Sequence, residues 1–94
     1  MSFQSKLIAK YKKQGYIVLK SIRMNENGFP DLQLLKDSKS IFIEVKENGD
    51  TLKELQKYQI DRLISKGFTA FCLHESKGII YPIDSEIEKF KEYL

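Results

Sequence analysis

The stretch Ile41-Phe42-Ile43-Glu44-Val45-Lys46 limits the fold more than any other segment of this chain. Its β-branched and aromatic content marks a strand, and side chains of a strand alternate between faces. Ile41, Ile43 and Val45 therefore share one face, and Phe42, Glu44 and Lys46 share the other. Apolar residues on both faces need cover on both, so this strand belongs inside a sheet flanked by helices. A carboxylate and an ammonium on a face that must be covered are costly unless they are paired or put to use. The pattern alone leaves both readings open, a structural ion pair or an active site. The same Glu-x-Lys spacing recurs at Glu75-Ser76-Lys77, but there it falls in a polar turn and reads as solvated surface.

The neighbouring segments place this strand third in an order of elements. Phe3, Leu7, Ile8 and Tyr11 form a helical stripe within 2–14, with Lys6, Lys10 and Lys13 on the wet side and Gly15 as the stop. Tyr16 to Ile22 reads as strand one, followed by a polar loop over 23–28. Pro30 opens a second strand, Asp31 to Leu35, which a turn over 36–40 joins to strand three as a hairpin. Thr51-Leu52-Lys53-Glu54 carries a capping-box signature and predicts a helix whose apolar side is Leu52, Leu55, Tyr58 or Gln59, and Leu63, ending at Lys66-Gly67. Phe68 to His74 predicts a further strand, Ile79 to Tyr81 its partner, and Ser85-Glu86-Ile87-Glu88 a short C-terminal helix. The expectation is an α/β fold: a central mixed sheet with helices on its faces, built from one domain over 1–94.

Composition narrows the function classes. With 94 residues there is room for one core, and 41% hydrophobic content is enough to form it. One cysteine, Cys72, excludes an internal disulfide and a Cys-rich zinc site, and one histidine, His74, excludes a His-based metal triad. Both sit on an apolar strand without partner spacing and receive no catalytic role. No apolar run reaches the ~20 residues that span a bilayer, and the first residues lack a secretory signal pattern. The expectation is a soluble, intracellular, cytoplasmic protein. Lys and Arg total 16 against 13 Asp and Glu, a net charge of +3 that is only mildly basic.

Gly28-x-Pro30-Asp31-Leu32, then Phe42-Ile43-Glu44-Val45-Lys46, then Gly49, Leu52 and Gln56, then Gly67 before an apolar strand, resemble the virus-type replication-repair nuclease (VRR-NUC) family of the PD-(D/E)XK superfamily. The likeness runs from about Gly28 to Leu73, and the helix and strand order matches the restriction-endonuclease-like αβββαβ core of that superfamily. It implies a divalent-metal-dependent endonuclease acting on DNA, in particular on branched DNA such as four-way (Holliday) junctions, as phage-like standalone members do. In a viral setting the site of action would be the host cytoplasm.

The chemistry fits the residues. Hydrolysis of a phosphodiester must place water in line with a phosphorus ringed by negative oxygens and stabilise the charge that develops there. Mg²⁺ or Mn²⁺ serves this and prefers oxygen ligands, which Asp31, Glu44 and the main-chain carbonyl of Val45 supply. By resemblance Lys46 holds the attacking water and offsets phosphoryl charge, and Gln56 faces the metal site. Family members commonly add a Glu from the first helix. Here Gln4 occupies the best-placed position, which weakens the case for a second metal, and Glu26 is a candidate substitute or a solvated loop residue.

An acidic site repels DNA, so phosphate affinity must come from surrounding cations. The candidates are Lys10, Lys12 and Lys13 on the first helix, Lys20 and Arg23 after the first strand, and Lys53 and Lys57 on the second helix. Because one chain carries one site, cutting both strands of a symmetrical junction requires a homodimer. Two rival readings are a catalytically inactive nucleic-acid-binding module of the same fold, and a small α/β interaction protein in which Glu44 and Lys46 form a structural pair.

Overall fold

The computed structural model describes residues 1–83. The C-terminal helix expected from Ser85 lies outside the described residues. The elements run α1 (Phe3–Lys13), β1 (Ile17–Lys20), β2 (Leu32–Lys36), β3 (Lys39–Lys46), α2 (Glu54–Ser65), β4 (Thr69–His74) and β5 (Gly78–Tyr81). The strands form one sheet in the order β1-β2-β3-β4-β5. β1, β2 and β3 pair antiparallel, β3 and β4 pair parallel, and β4 and β5 pair antiparallel, so the sheet is mixed. α2 is the crossover that a parallel β3–β4 pair requires.

β2 and β3 turn through Asp37 and Ser38, at φ 55° and 63°. Two successive left-handed residues make the two-residue hairpin whose twist matches the strands. That register sets Leu32 opposite Ile43 and Gln33 opposite Phe42. One face of the sheet packs Leu34, Ile41, Ile43, Val45 and Phe71 against Leu7 and Tyr11 of α1. The other packs Phe42, Ala70 and Cys72 against Ile60 of α2. Glu44 and Lys46 follow Phe42 on this second face, as alternation in β3 predicts.

Two local expectations are corrected. α2 begins at Glu54 with Lys53 as its N-cap, and the side chain that closes the cap is Gln56, whose Oε1 accepts from the Lys53 amide at 2.9 Å. The Thr51-x-x-Glu54 box is therefore displaced by two residues. Of the expected apolar side of α2, Leu52, Gln59 and Leu63 are on the covered face together with Ile60, whereas Leu55 and Tyr58 are exposed. The reason lies in the β1–β2 loop. Gly28, at φ +76°, runs so close to α2 that a Cβ there would stand 2.8 Å from Leu55 Cγ, so Leu55 meets the loop instead of the sheet.

Candidate active site

The segment that delivers Asp31 is held from several sides. Pro30 is fully buried and fixes its own φ just before the strand. The Asp31 carbonyl accepts from the Ser21 amide at 2.8 Å, which ties the end of β1 to the start of β2. Upstream, Gln59 Nε2 donates to the Asn27 carbonyl at 3.1 Å, and Arg62 pairs with Glu26. Glu26 thus belongs to an anchor between the loop and α2, and its carboxylate is held down chiefly by its hydrogen bond to Arg62.

Asp31, Glu44, Lys46 and Gln56 meet at the carboxyl end of β3. Asp31 Oδ2 accepts from the Val45 amide at 3.0 Å, which occupies a donor that β2 no longer reaches. Gln56 Nε2 donates to Glu44 Oε2 at 3.3 Å, and Lys46 Nζ stands 3.6 Å from the same oxygen. Glu44 is only 3% exposed. Burial first, and then the charge and hydrogen bonding of Asp31, push its carboxyl up to about 8, while Lys46 acts in the opposite direction.

That direction describes how Glu44 and Lys46 interact. A self-sufficient ion pair holds its carboxyl down, because the charged form is the favoured one. Here the ammonium is outweighed by burial and by Asp31. Two converging carboxylates with oxygen-only donors fit a hard divalent cation. Among the described residues no group of three or more His, Cys, Asp and Glu is placed to hold a metal, so such an ion would complete its shell with main-chain, water or substrate oxygens. Gln4 makes no hydrogen bond to Asp31 or Glu44, and the buried residues of its helix, Leu7 and Tyr11, face the opposite side of the sheet.

The remaining candidates divide by position. Lys20 pairs with Leu32, next to Asp31, and Lys53 caps α2 one turn before Gln56. Arg23 lies in the loop leading to Gly28, lining a recess with Ser21 and Met24. Lys57 is engaged by Glu54 at 3.3 Å. Lys10, Lys12 and Lys13 are on α1, across the sheet. Cys72 lies beside Glu44 in the parallel pairing, and burial pushes its thiol up to about 12, which keeps it protonated and unreactive. His74 stands beside Lys46 in the same register. Sequence reasoning passed over it because a neighbour across a parallel pair has no spacing signature along the chain.

A mixed sheet between two helices, with Asp31, Glu44 and Lys46 at one strand end, defines a nuclease-type α/β fold. The VRR-NUC domain model matches residues 2–76, and the chain belongs to that family. A solved structure described as a VRR_NUC domain superposes with a TM-score of 0.70 at 22% identity, covering 95% of this chain and 89% of its own. A search of curated proteins finds none that matches.

Proposed function

We propose that this chain is a divalent-metal-dependent endonuclease of branched DNA. The observation that carries the reading is the convergence of Asp31 and Glu44, with Glu44 pushed up to about 8 despite Lys46 at 3.6 Å. Asp31, Glu44 and the Val45 carbonyl would hold Mg²⁺ or Mn²⁺, which when bound supplies positive charge to the phosphoryl oxygens and acidifies water. Gln56 fixes the Glu44 carboxylate from the helix side. Lys46 stays beside Glu44 as a donor to the attacking water and to a phosphoryl oxygen. Lys20, Arg23 and Lys53 lie nearest this end of the sheet and serve as phosphate contacts, with Lys57, Lys10 and Lys13 farther out.

A single site per 94-residue domain makes a homodimer the working form on a symmetrical four-way junction. β1 supports this pairing: it is one of the two edge strands of the sheet, with Ile17 60% exposed and Leu19 46% exposed. The test is a gel of duplex, flap and four-way-junction DNA with Mg²⁺, Mn²⁺ or EDTA. Cleavage of the junction with either metal, abolished by EDTA and by Glu44→Ala or Lys46→Ala, is the expected result. The second reading, an inactive DNA-binding module, is favoured by Gln4 and by the pairing of only two carboxylates; it predicts binding of the same junction with no cleavage under any metal.

A further inference from the structure

His74 has two nitrogens with different fates. Nδ1 accepts from the Ser76 amide at 3.2 Å and the Lys77 amide at 3.3 Å, both in the β4–β5 turn. An atom that accepts two amide protons carries none of its own, so in the neutral ring the proton resides on Nε2. Ser76 Oγ, 2.6 Å from Asn48 Oδ1, ties this turn to the loop that leaves β3. The ring is thereby fixed in place and in tautomer.

Its position is set by the sheet. His74 pairs with Lys46 across the parallel ladder and follows Ala70 and Cys72 on the α2 face, the face of Glu44 and Lys46. Parallel strands end at the same edge, where ligands of open α/β sheets bind. No described residue accepts from Nε2. Among the described residues no buried side-chain nitrogen or oxygen lacks a partner, so Nε2 reaches solvent even though His74 is only 4% exposed. His74 also borders a recess lined by Phe3, Leu7 and Lys10 of α1.

A rigid, nearly buried ring offering one donor beside Lys46 has the form of a phosphate contact. We propose that His74 Nε2–H donates to a non-bridging phosphate oxygen of the bound strand, beside Lys46. The proposal rests on the nuclease reading of the site. A neutral donor adds affinity without releasing a counterion, which distinguishes it from the lysines.

The chain has a single histidine, so its ring nitrogens can be followed without overlap by ¹⁵N NMR of imidazole-labelled protein. Titration with a four-way DNA junction, Ca²⁺ replacing Mg²⁺, should show an Nε2–H tautomer in the free protein and a shift of Nε2 on binding. His74→Asn keeps an oxygen acceptor for the turn amides and leaves no donor at the Nε2 position. It should retain its melting temperature, weaken junction binding about tenfold and leave the salt slope unchanged. His74→Gln, which returns an N–H near the Nε2 position, should recover part of the affinity. An Nδ1–H tautomer, an unshifted Nε2, or wild-type affinity in His74→Asn overturns the proposal and leaves the nuclease reading standing if wild-type protein still cleaves. Absence of cleavage by wild-type protein overturns the nuclease reading, and the role of His74 with it.

Discussion

Gln56 bonds Glu44 with one end of its amide and its own helix cap with the other: Nε2 donates to Glu44 Oε2 at 3.3 Å, and Oε1 accepts from the Lys53 amide at 2.9 Å. The start of α2 and the placement of the buried carboxylate are therefore one structural unit. A side chain with both a donor and an acceptor is needed, and a carboxylate of the same length lacks the donor.

This makes Gln56 separable by substitution. Gln56→Ala should lose about 1 kcal/mol of stability through the open cap and should also lower cleavage. Gln56→Glu keeps the cap acceptor but sets a second carboxylate against Glu44. Its melting temperature should exceed that of Gln56→Ala, while its cleavage rate at neutral pH falls at least as far. Thermal melts and single-turnover cleavage on the same samples check both.

Glu44 predicts how stability depends on pH. Its folded value is raised, from the ordinary 4.5 to about 8, so the folded state binds the proton more tightly than the unfolded chain. Its contribution is fully present below about 4.5 and is lost as pH rises toward and through about 8, at about 1.4 kcal/mol per pH unit across the window. Metal-free protein should melt lower at pH 8.5 than at pH 6, and Glu44→Gln should flatten that dependence. Mg²⁺ should raise the melting temperature more at pH 8 than at pH 6, because it competes with the proton for the same oxygens.

Gly28 tests the approach of the loop to α2. An alanine there must take φ +76° and seat its Cβ 2.8 Å from Leu55 Cγ and 3.2 Å from the Leu55 backbone. Gly28→Ala should cost about 1–2 kcal/mol from the backbone conformation alone, more with the clash. Adding Leu55→Ala should recover only part of the loss, since the backbone contact and the φ remain. Chemical denaturation of the two variants measures it.

Gln59 anchors the same loop and is 3% exposed. Gln59→Leu leaves the Asn27 carbonyl without its donor and should destabilise by about 1–3 kcal/mol. Glu26→Gln, which keeps an oxygen acceptor for Gln59 Nε2 and removes the charge facing Arg62, should have a smaller effect that high salt reduces further. Melting curves of both variants at low and high salt test the contrast.

Much of this was legible along the chain because the determining physics is local. Alternation in residues 41–46 determined that Glu44 and Lys46 share a face, while Pro30 and the turn over 36–40 set Asp31 at the start of the paired strand and left its reach to the hairpin register. The spaced Gln56 was legible only through resemblance, since a helical residue's target depends on how the helix is rotated. The sequence pattern left Tyr58 and Gln59 as alternatives, of which the structure buries Gln59, and put Leu55 on the apolar side. Gly28 decided otherwise, because the loop it carries occupies the space that Leu55 would have filled.

By itself, then, the sequence determined the order of elements, the two-faced character of β3, and an acidic pair with a lysine. These follow from periodicity, turn chemistry and the cost of burying charge, each acting within a few residues. Only the tertiary structure decided that Glu44 is buried between Asp31, Lys46 and Gln56, that Glu26 belongs to Arg62, and that His74 lies beside Lys46. Each of these depends on which groups a distant segment brings into a low-dielectric space, and on a parallel register that residue spacing along the chain does not encode.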